Sequence, residues 1–325
     1  MASLPSPVSV PLTERIASAV FHGLTATPKT LPPWLFYDDA GSDLFDQITR
    51  LPEYYLTRTE HSILLNTSDQ IIDAAAQGHP LHITELGAGS SEKTSLLLAA
   101  ALRRQPTLVY EPVDVSAAAL DLARLRLESE LPGLQVLPRV ADYTLGLRLA
   151  PLPPGHRRLV LYIGSSIGNF EPCASLALLR TIRYALLPGD AFLLGVDLVK
   201  PLPLLLAAYN DATGVTAAFN RNLLARINRE LDADFDPLAF AHRAIWNSTA
   251  SRIEMHLESL APQTVHIPAL PLSVSFAAGE RIHTENSYKY RPGQAEALLT
   301  SAALHPAHTF TDDNHWFAVT LAHAR

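Results

Sequence analysis

The chain of 325 residues contains one cysteine, Cys173, so an intramolecular disulfide framework is excluded. It has no lysine- or arginine-rich run. With 25 basic against 32 acidic residues, and a net charge of −7, it lacks the concentrated basic face that binding a phosphate backbone requires, and a nucleic-acid partner is not expected. Nor is there a long uninterrupted apolar run. The most apolar region, 191–209, is broken by Asp197, Lys200, Pro201 and Pro203, and reads as a buried strand, a turn and a helix rather than a membrane span. Residues 1–12, with Pro5, Pro7 and Pro11, show no basic-then-apolar leader and read as a flexible arm. What these absences leave is a chain long enough to bury a substantial core, expected to be a cytoplasmic monomer with a small-molecule substrate and neither nucleic-acid nor membrane partner.

The most telling stretch that is present runs Leu81-His82-Ile83-Thr84-Glu85-Leu86-Gly87-Ala88-Gly89-Ser90-Ser91-Glu92-Lys93-Thr94, a strand, a glycine turn and a helix start. It lacks the third glycine of G-x-G-x-x-G. It would be a phosphate-binding G-x-x-x-x-G-K-[ST] loop if position 92 were glycine, but Glu92 would crowd and repel a polyphosphate. The turn therefore suits a nucleoside without a phosphate chain. S-adenosylmethionine (SAM), a sulfonium cation, is the common cofactor of that description.

From residue 61 strands and helices alternate, which predicts a parallel sheet covered on both faces. The expected order is helix 61–76, strand 81–86, helix 92–103, strand 107–113, helix 117–130 capped by Ser116, strand 134–140, strand 158–163, helix 173–187 and strand 191–198. The alternation then stops. Residues 201–283 read as an insertion with helices at 204–209 and 217–231 and strands at 253–260 and 272–276. After a helix at 294–303, the strands 307–310 and 316–322 form a hairpin about Thr311-Asp312-Asp313-Asn314. A parallel α/β sheet closed by an antiparallel hairpin is the order of the class I methyltransferase (Rossmann-like) fold.

Ligands of an open parallel sheet sit beyond the carboxyl ends of its strands. Gly87 and Gly89 follow the first strand and Asp114 the second, about where a ribose-binding carboxylate belongs. Asp142 and Tyr143 follow the third, an acid for the adenine amino group beside a ring for its face. Gly164 and Asn169 follow the fourth. Asp114 could instead be a helix cap and Asp142 a turn residue, and Lys93 reads either as a cofactor ligand or as a solvent-facing side chain. The cluster His305, His308, Asp312, Asp313 and His315 matches no standard zinc spacing and reads as a solvated hairpin, so no metal is expected.

Longer strings carry a resemblance. These are Leu31-Pro32-Pro33-Trp34-Leu35-Phe36-Tyr37-Asp38, the run from Gly41 to Tyr55, Thr57-Arg58-Thr59-Glu60, Gly164-Ser165-Ser166-Ile167-Gly168-Asn169, Asp197-Leu198-Val199-Lys200, Ala208-Tyr209-Asn210-Asp211, the run from Gly214 to Asn220, and Ile253-Glu254-Met255. Together they resemble the ergothioneine-pathway histidine Nα-methyltransferases from about residue 20 to the C-terminus. The resemblance implies a methyltransferase domain (59–200 with 286–325) and a substrate-binding domain (13–58 with 201–285). It implies that Tyr37, Gly87, Lys93, Asp114, Asp142 and Tyr143 hold SAM, with Gly164 near the donor methyl. Asn169 and Tyr209 would hold the amino acid's amine and carboxylate, and Tyr54, Met255, Glu285 and Ser287 its side chain. Val113, Tyr143 and Asn286 depart from the family pattern, and Asn286 bears on the width of the side-chain pocket.

Methyl transfer to an amine is an in-line displacement that chiefly needs alignment, and the resemblance implies that Tyr37, Tyr54, Asn169 and Tyr209 carry it. The tyrosine faces could stabilise the growing cation, and Tyr54 or a water could accept the amine proton. The expected reaction is trimethylation of L-histidine to hercynine, the first step of ergothioneine biosynthesis. Other readings are methylation of another amino acid or of an imidazole ring nitrogen, a non-catalytic SAM- or amino-acid-binding regulator, and a P-loop phosphotransferase, which Glu92 disfavours.

Overall fold

The computed structural model describes residues 11–325, so most of the proline-rich arm lies outside the described residues, and Leu12 already opens a helix, Leu12–Thr25. The chain divides into two compact units. One holds Tyr54–Leu205, Ser248–Arg252 and Asn286–Arg325; the other holds the chain up to Glu53, Leu206–Asn247 and Ile253–Glu285. No described helix is long and apolar enough to cross a membrane.

The first of these units is built on a mixed sheet. Its strands lie in the spatial order Leu304–Thr311, Phe317–Ala324, Ala191–Asp197, Arg157–Tyr162, Leu81–Leu86, Leu108–Asp114 and Leu134–Val136. The pairs among Ala191–Asp197, Arg157–Tyr162, Leu81–Leu86, Leu108–Asp114 and Leu134–Val136 are parallel, while Phe317–Ala324 runs antiparallel to both its neighbours. This is the class I methyltransferase order with its C-terminal hairpin. Strands Leu81–Leu86 and Ala191–Asp197 are buried along their whole length, as expected of central strands covered on both faces. One core packs Ile63, Leu64, Ile71, Leu97 and Leu98 against one face, and a second packs Leu179, Ile182 and Leu299 against the other. Truncating such a leucine to alanine costs about 2–5 kcal/mol.

Most expected elements are present with shifted ends, and the shifts have causes. Helix Tyr55–Ala76 begins six residues before the predicted start. Tyr55, Leu56 and Glu60 continue the buried stripe of Ile63 and Leu64, but a carboxylate at a core position disguises the apolar period. The expected strand 134–140 is two strands, Leu134–Val136 and Arg139–Val140, both pairing with Leu108–Asp114. Pro138, which has no N–H to donate, lies in the gap. Helix 92–103 is shorter, Thr94–Leu102, and follows a left-handed Ser91 at φ 53°. Ser116 caps helix Ala117–Glu130 as expected, its hydroxyl accepting from Ala119 N at 3.2 Å.

The second unit carries more sheet than the two strands expected. Lys29–Thr30, Arg281–Tyr288, Arg252–Ser259 and Phe240–Asn247 form a four-stranded sheet, and Gln263–Ile267 pairs with Leu272–Phe276 as a hairpin. Phe240–Asn247, Gln263–Ile267 and Arg281–Tyr288 escaped the sequence reading because inward positions such as His242 and Thr284 are polar. Helix Val215–Leu231 packs Phe219, Leu223, Leu224 and Ile227 inward.

Candidate functional site

In the sheet-centred unit, the strand ends gather the expected residues. Gly87 and Gly89 both have positive φ (70° and 50°), which a side chain would strain, and Gly87 N donates to Val113 O at 2.8 Å. Asp114 ties this turn to the next strand. One carboxylate oxygen accepts from Gly89 N at 2.9 Å and the other from Ser116 N at 3.0 Å. The Tyr143 ring faces the turn, its hydroxyl 3.5 Å from where a Cβ on Gly87 would lie, and it meets Tyr162 edge-on with centroids 5.7 Å apart. Burial pushes the Tyr143 phenol up to about 12, so it is neutral and can only donate or accept a hydrogen bond. Asp142 caps a short 3₁₀ turn by accepting from Thr144 N at 3.0 Å, so one of its oxygens does the work of a turn residue.

Lys93 points inward. Its ammonium pairs with Glu60, whose carboxylate is fully buried on helix Tyr55–Ala76, and only about a fifth of the lysine side chain is exposed. The same carboxylate accepts from Gly164 N at 2.9 Å and 3.0 Å. A Cβ on Gly164, whose φ is 80°, would lie 3.6 Å from Lys93 Nζ, so glycine, lysine and glutamate occupy one small space. Asn169 ends the following turn, Ser166–Asn169, half-buried. Tyr54 immediately precedes the long helix, is nearly buried, and its carbonyl accepts from Arg58 at 3.2 Å.

A buried charge network ends strand Ala191–Asp197. Asp197 accepts from Tyr55 Oη at 2.7 Å and from Lys200 Nζ at 2.6 Å, and pairs with Lys289 Nζ at 2.8 Å. Lys289 in turn donates to Ser287 Oγ at 2.8 Å, so the Ser287 hydroxyl is held by an ammonium rather than left to rotate. Burial brings the Lys200 ammonium down to about 8 against the opposing pull of Asp197.

In the other unit, Tyr37 ends the 3₁₀ turn Pro33–Phe36 and meets Phe45 and Phe219 edge-on at 5.9 and 6.0 Å. Asp38 caps the next helix through Gly41 N at 2.7 Å and is gripped by Asn222 and Arg229. Tyr209 ends helix Leu202–Tyr209, nearly buried, with its carbonyl accepting from His242 Nε2 at 2.8 Å. From there a chain of polar contacts runs inward. Asn220 Nδ2 donates to His242 Nδ1 at 2.9 Å, Thr284 Oγ1 donates to Asn220 Oδ1 at 2.8 Å, and Thr284 also meets Met255 O at 3.0 Å. Met255 is buried, and Glu285 follows Thr284 half-buried, with its carbonyl accepting from His283 Nε2 at 3.0 Å.

Glu60, Asn220, His242 and Lys289 were missed as organisers of these residues, since a buried polar partner leaves no periodic trace in sequence. Asp211, inside one of the quoted strings, accepts from Val215 N at 3.0 Å and Thr216 N at 2.8 Å at the start of helix Val215–Leu231. An acidic residue just ahead of a predicted helix is a signal that could have found it, since a carboxylate there can accept from the unpaired N–H groups of the first turn. The hairpin cluster His305, His308, Asp313 and His315 is exposed, and Asp312 closes the turn by accepting from Trp316 N at 2.7 Å and Phe317 N at 2.9 Å.

A family model described as histidine-specific methyltransferase, SAM-dependent, matches residues 16–324. The chain belongs to this family. It is 48% identical over 309 residues to the histidine N-alpha-methyltransferase of Mycolicibacterium smegmatis, covering 95% of each chain. It is 45% identical over 303 residues to the Mycobacterium tuberculosis protein of the same name, covering 93% of each. Ergothioneine biosynthesis protein 1 of Neurospora crassa is 28% identical over 306 residues, which span 92% of this chain and 34% of that longer one. Membership makes SAM the methyl donor. The strand-end residues fit it: the turn offers close backbone approach at Gly87 and Gly89, a carboxylate at Asp114 and an aromatic face at Tyr143, with no feature built for a polyphosphate.

Proposed function

We propose that the chain transfers three methyl groups from SAM to the α-amine of L-histidine, giving hercynine, as the first step of ergothioneine biosynthesis. The family match across residues 16–324 carries this reading, and the 48% identity to a histidine N-alpha-methyltransferase supports the α-amine as acceptor. SAM supplies an electrophilic methyl on a sulfonium: the N–CH₃ bond forms as the S–CH₃ bond breaks, and a proton leaves the amine. The protein's part is alignment. In this reading Tyr37, Gly87, Lys93, Asp114, Asp142 and Tyr143 hold the donor, with Gly164 beside the methyl. Asn169 and Tyr209 hold the amine and carboxylate of the acceptor, and Tyr54, Met255, Glu285 and Ser287 enclose its side chain.

The acceptor must be a neutral amine at each round, and its proton passes to Tyr54 or to water. The Glu285 carboxylate accepts an imidazole N–H beside the Ser287 hydroxyl. An apolar amino acid would leave that carboxylate without its partner, a loss of about 1–3 kcal/mol. The third transfer leaves a quaternary nitrogen without a lone pair, and the reaction ends there. The test is mass spectrometry of purified protein incubated with SAM and mixed amino acids. Three methyl groups on histidine, with fragmentation placing them on the α-nitrogen, are expected. Selective methylation of a different amino acid, or of the ring, would overturn the reading. The working form in this reading is a cytoplasmic monomer, which light scattering of the pure protein checks in its second part.

A further inference from the structure

Strand Arg252–Ser259 alternates strictly, with Ile253, Met255 and Leu257 buried and Glu254 and His256 on the opposite, half-buried face. On that face His256 Nε2 lies 3.2 Å from Glu254 Oε2, and the His256 ring stacks on His283 of strand Arg281–Tyr288, with centroids 4.8 Å apart and planes 26° from parallel. One ligand-capable atom from each of the three residues lies within 4.8 Å of the others. Each of two members also has an outer partner that fixes it. Asn247 Nδ2 donates to Glu254 Oε1 at 2.9 Å, and His283 Nε2 donates to Glu285 O at 3.0 Å, which leaves Nδ1 as the lone pair of His283. His256 Nδ1 is buried without a hydrogen-bond partner among the described residues.

We propose that Glu254, His256 and His283 form a binding site for a divalent transition-metal ion, zinc being the ion that two imidazoles and one carboxylate suit best. The Glu254–His256 separation of 3.2 Å is that of a hydrogen bond and also suits two ligand atoms on a tetrahedral zinc, which with bonds of about 2.0–2.1 Å stand about 3.3 Å apart. Two further observations favour an ion. Metal-bound histidines characteristically donate their second N–H to a carbonyl, as His283 does to Glu285. The His256 and Glu254 side chains keep 12% and 15% of their surface exposed, enough for an ion to enter and for water to complete its coordination.

His283 shares its side of strand Arg281–Tyr288 with Glu285 by strand alternation, so the site adjoins the residues proposed to read the acceptor's side chain. It lies on the reverse of the strand position that buries Met255 and shares a backbone contact with Glu285, so a bound ion would brace the two strands that present those residues.

The test is zinc titration by calorimetry of the tag-free full-length chain, stripped with a chelator and dialysed, with no free histidine present, and with cobalt(II) as an absorbing substitute. One equivalent per chain is expected, with a raised melting temperature and a tetrahedral cobalt spectrum. His283→Ala and the milder His256→Gln are each expected to weaken zinc by about tenfold or more, in line with loss of a ligand. Binding of S-adenosylhomocysteine by the same samples checks that the variants are folded; if either is not, Glu254→Gln takes its place. No binding by the native chain, or an undiminished equivalent in the folded variants, as the hairpin histidines would give, overturns the proposal.

Discussion

His242 Nε2 donates to the carbonyl of Tyr209 at 2.8 Å, and this one bond fixes the tautomer of a buried imidazole. With the proton on Nε2, Nδ1 is an acceptor, which Asn220 Nδ2 meets at 2.9 Å. Burial also pulls the His242 ring below its ordinary titration range, so the neutral form persists at physiological pH. Asn220 is thereby oriented with its oxygen toward Thr284, and the chain of contacts reaches Met255 O. Two residues proposed to touch the acceptor, Tyr209 and Met255, are thus held by side chains that do not touch it.

Replacing Asn220 by alanine removes partners of both His242 and Thr284 in a buried setting. A stability loss of about 2–4 kcal/mol is expected in chemical denaturation, since each stranded group carries its own desolvation cost. Steady-state kinetics should show KM for histidine raised severalfold, while calorimetric affinity for S-adenosylhomocysteine stays within about twofold.

The Glu60 carboxylate does two jobs, neutralising Lys93 and receiving Gly164 N–H. Glu60→Gln keeps one acceptor but leaves Lys93 with an uncompensated charge in a largely enclosed position, a change of the kind that costs about 3 kcal/mol or more. Loss of SAM affinity by about tenfold or more is expected in calorimetry. Lys93→Met in the same background should recover part of the stability but not the affinity.

The parallel sheet was legible because short strand segments alternate with helical ones and are bounded by proline, glycine and acidic turns, and Leu81–Leu86, between Pro80 and Gly87, matches the expectation at both ends. The strand-end residues were legible for the same reason: once strands are located, the positions after them are known. What was not legible rests on buried polar groups. Glu60 sits at a core position, Thr284 faces inward on a strand, and Asn220 is wholly buried on a helix. Each reads locally as a surface residue, and only its partner, 22–104 residues distant in the bonds described, explains it. The Glu254, His256 and His283 group is likewise invisible in spacing, since the third member comes from a different strand.

Gly41 follows from a close approach rather than from φ. A Cβ there would collide with the carbonyl of Phe36, one residue before Tyr37. Gly41→Ala must therefore displace the 3₁₀ turn that carries Tyr37 or the start of helix Asp39–Thr49. A stability loss of about 1–3 kcal/mol is expected from overpacking. Weaker SAM binding should accompany it if Tyr37 serves the donor; unchanged affinity in a folded variant would remove Tyr37 from that role.

Glu85 is fully buried beneath the glycine turn, and burial raises its carboxyl from about 4.5 to about 7 despite hydrogen bonds from Tyr110 and Thr94. Because the folded-state value lies above the unfolded one, the native chain holds the proton more tightly between these values. Stability contributed by the protonated form is present at pH 4.5 and is lost as pH rises through 7. Glu85→Gln does not titrate, so its stability relative to the native chain should improve from pH 5 to pH 8, by at most about 3 kcal/mol. Denaturant titrations at the two pH values check the sign; a difference that moves the other way would mean that Glu85 stays ionised.

Glu285 and Ser287 alternate along strand Arg281–Tyr288, which places them on the same side of it, with Asn286 turned the other way toward Glu171 Oε1 at 3.1 Å. Asn286, a departure from the family pattern, is thus tied to the Glu171–Arg252–Tyr288 group rather than turned with the two residues proposed to read an imidazole. Glu285→Ala removes the carboxylate with little backbone consequence. It should lower kcat/KM for histidine by about tenfold to a hundredfold, the equivalent of losing a charged hydrogen bond of about 1.5–3 kcal/mol, while leaving S-adenosylhomocysteine binding near native. Asn286→Ala should change kcat/KM by less than about threefold. Equal loss of histidine use and donor binding in Glu285→Ala would mean that Glu285 supports the fold and that the imidazole is read elsewhere.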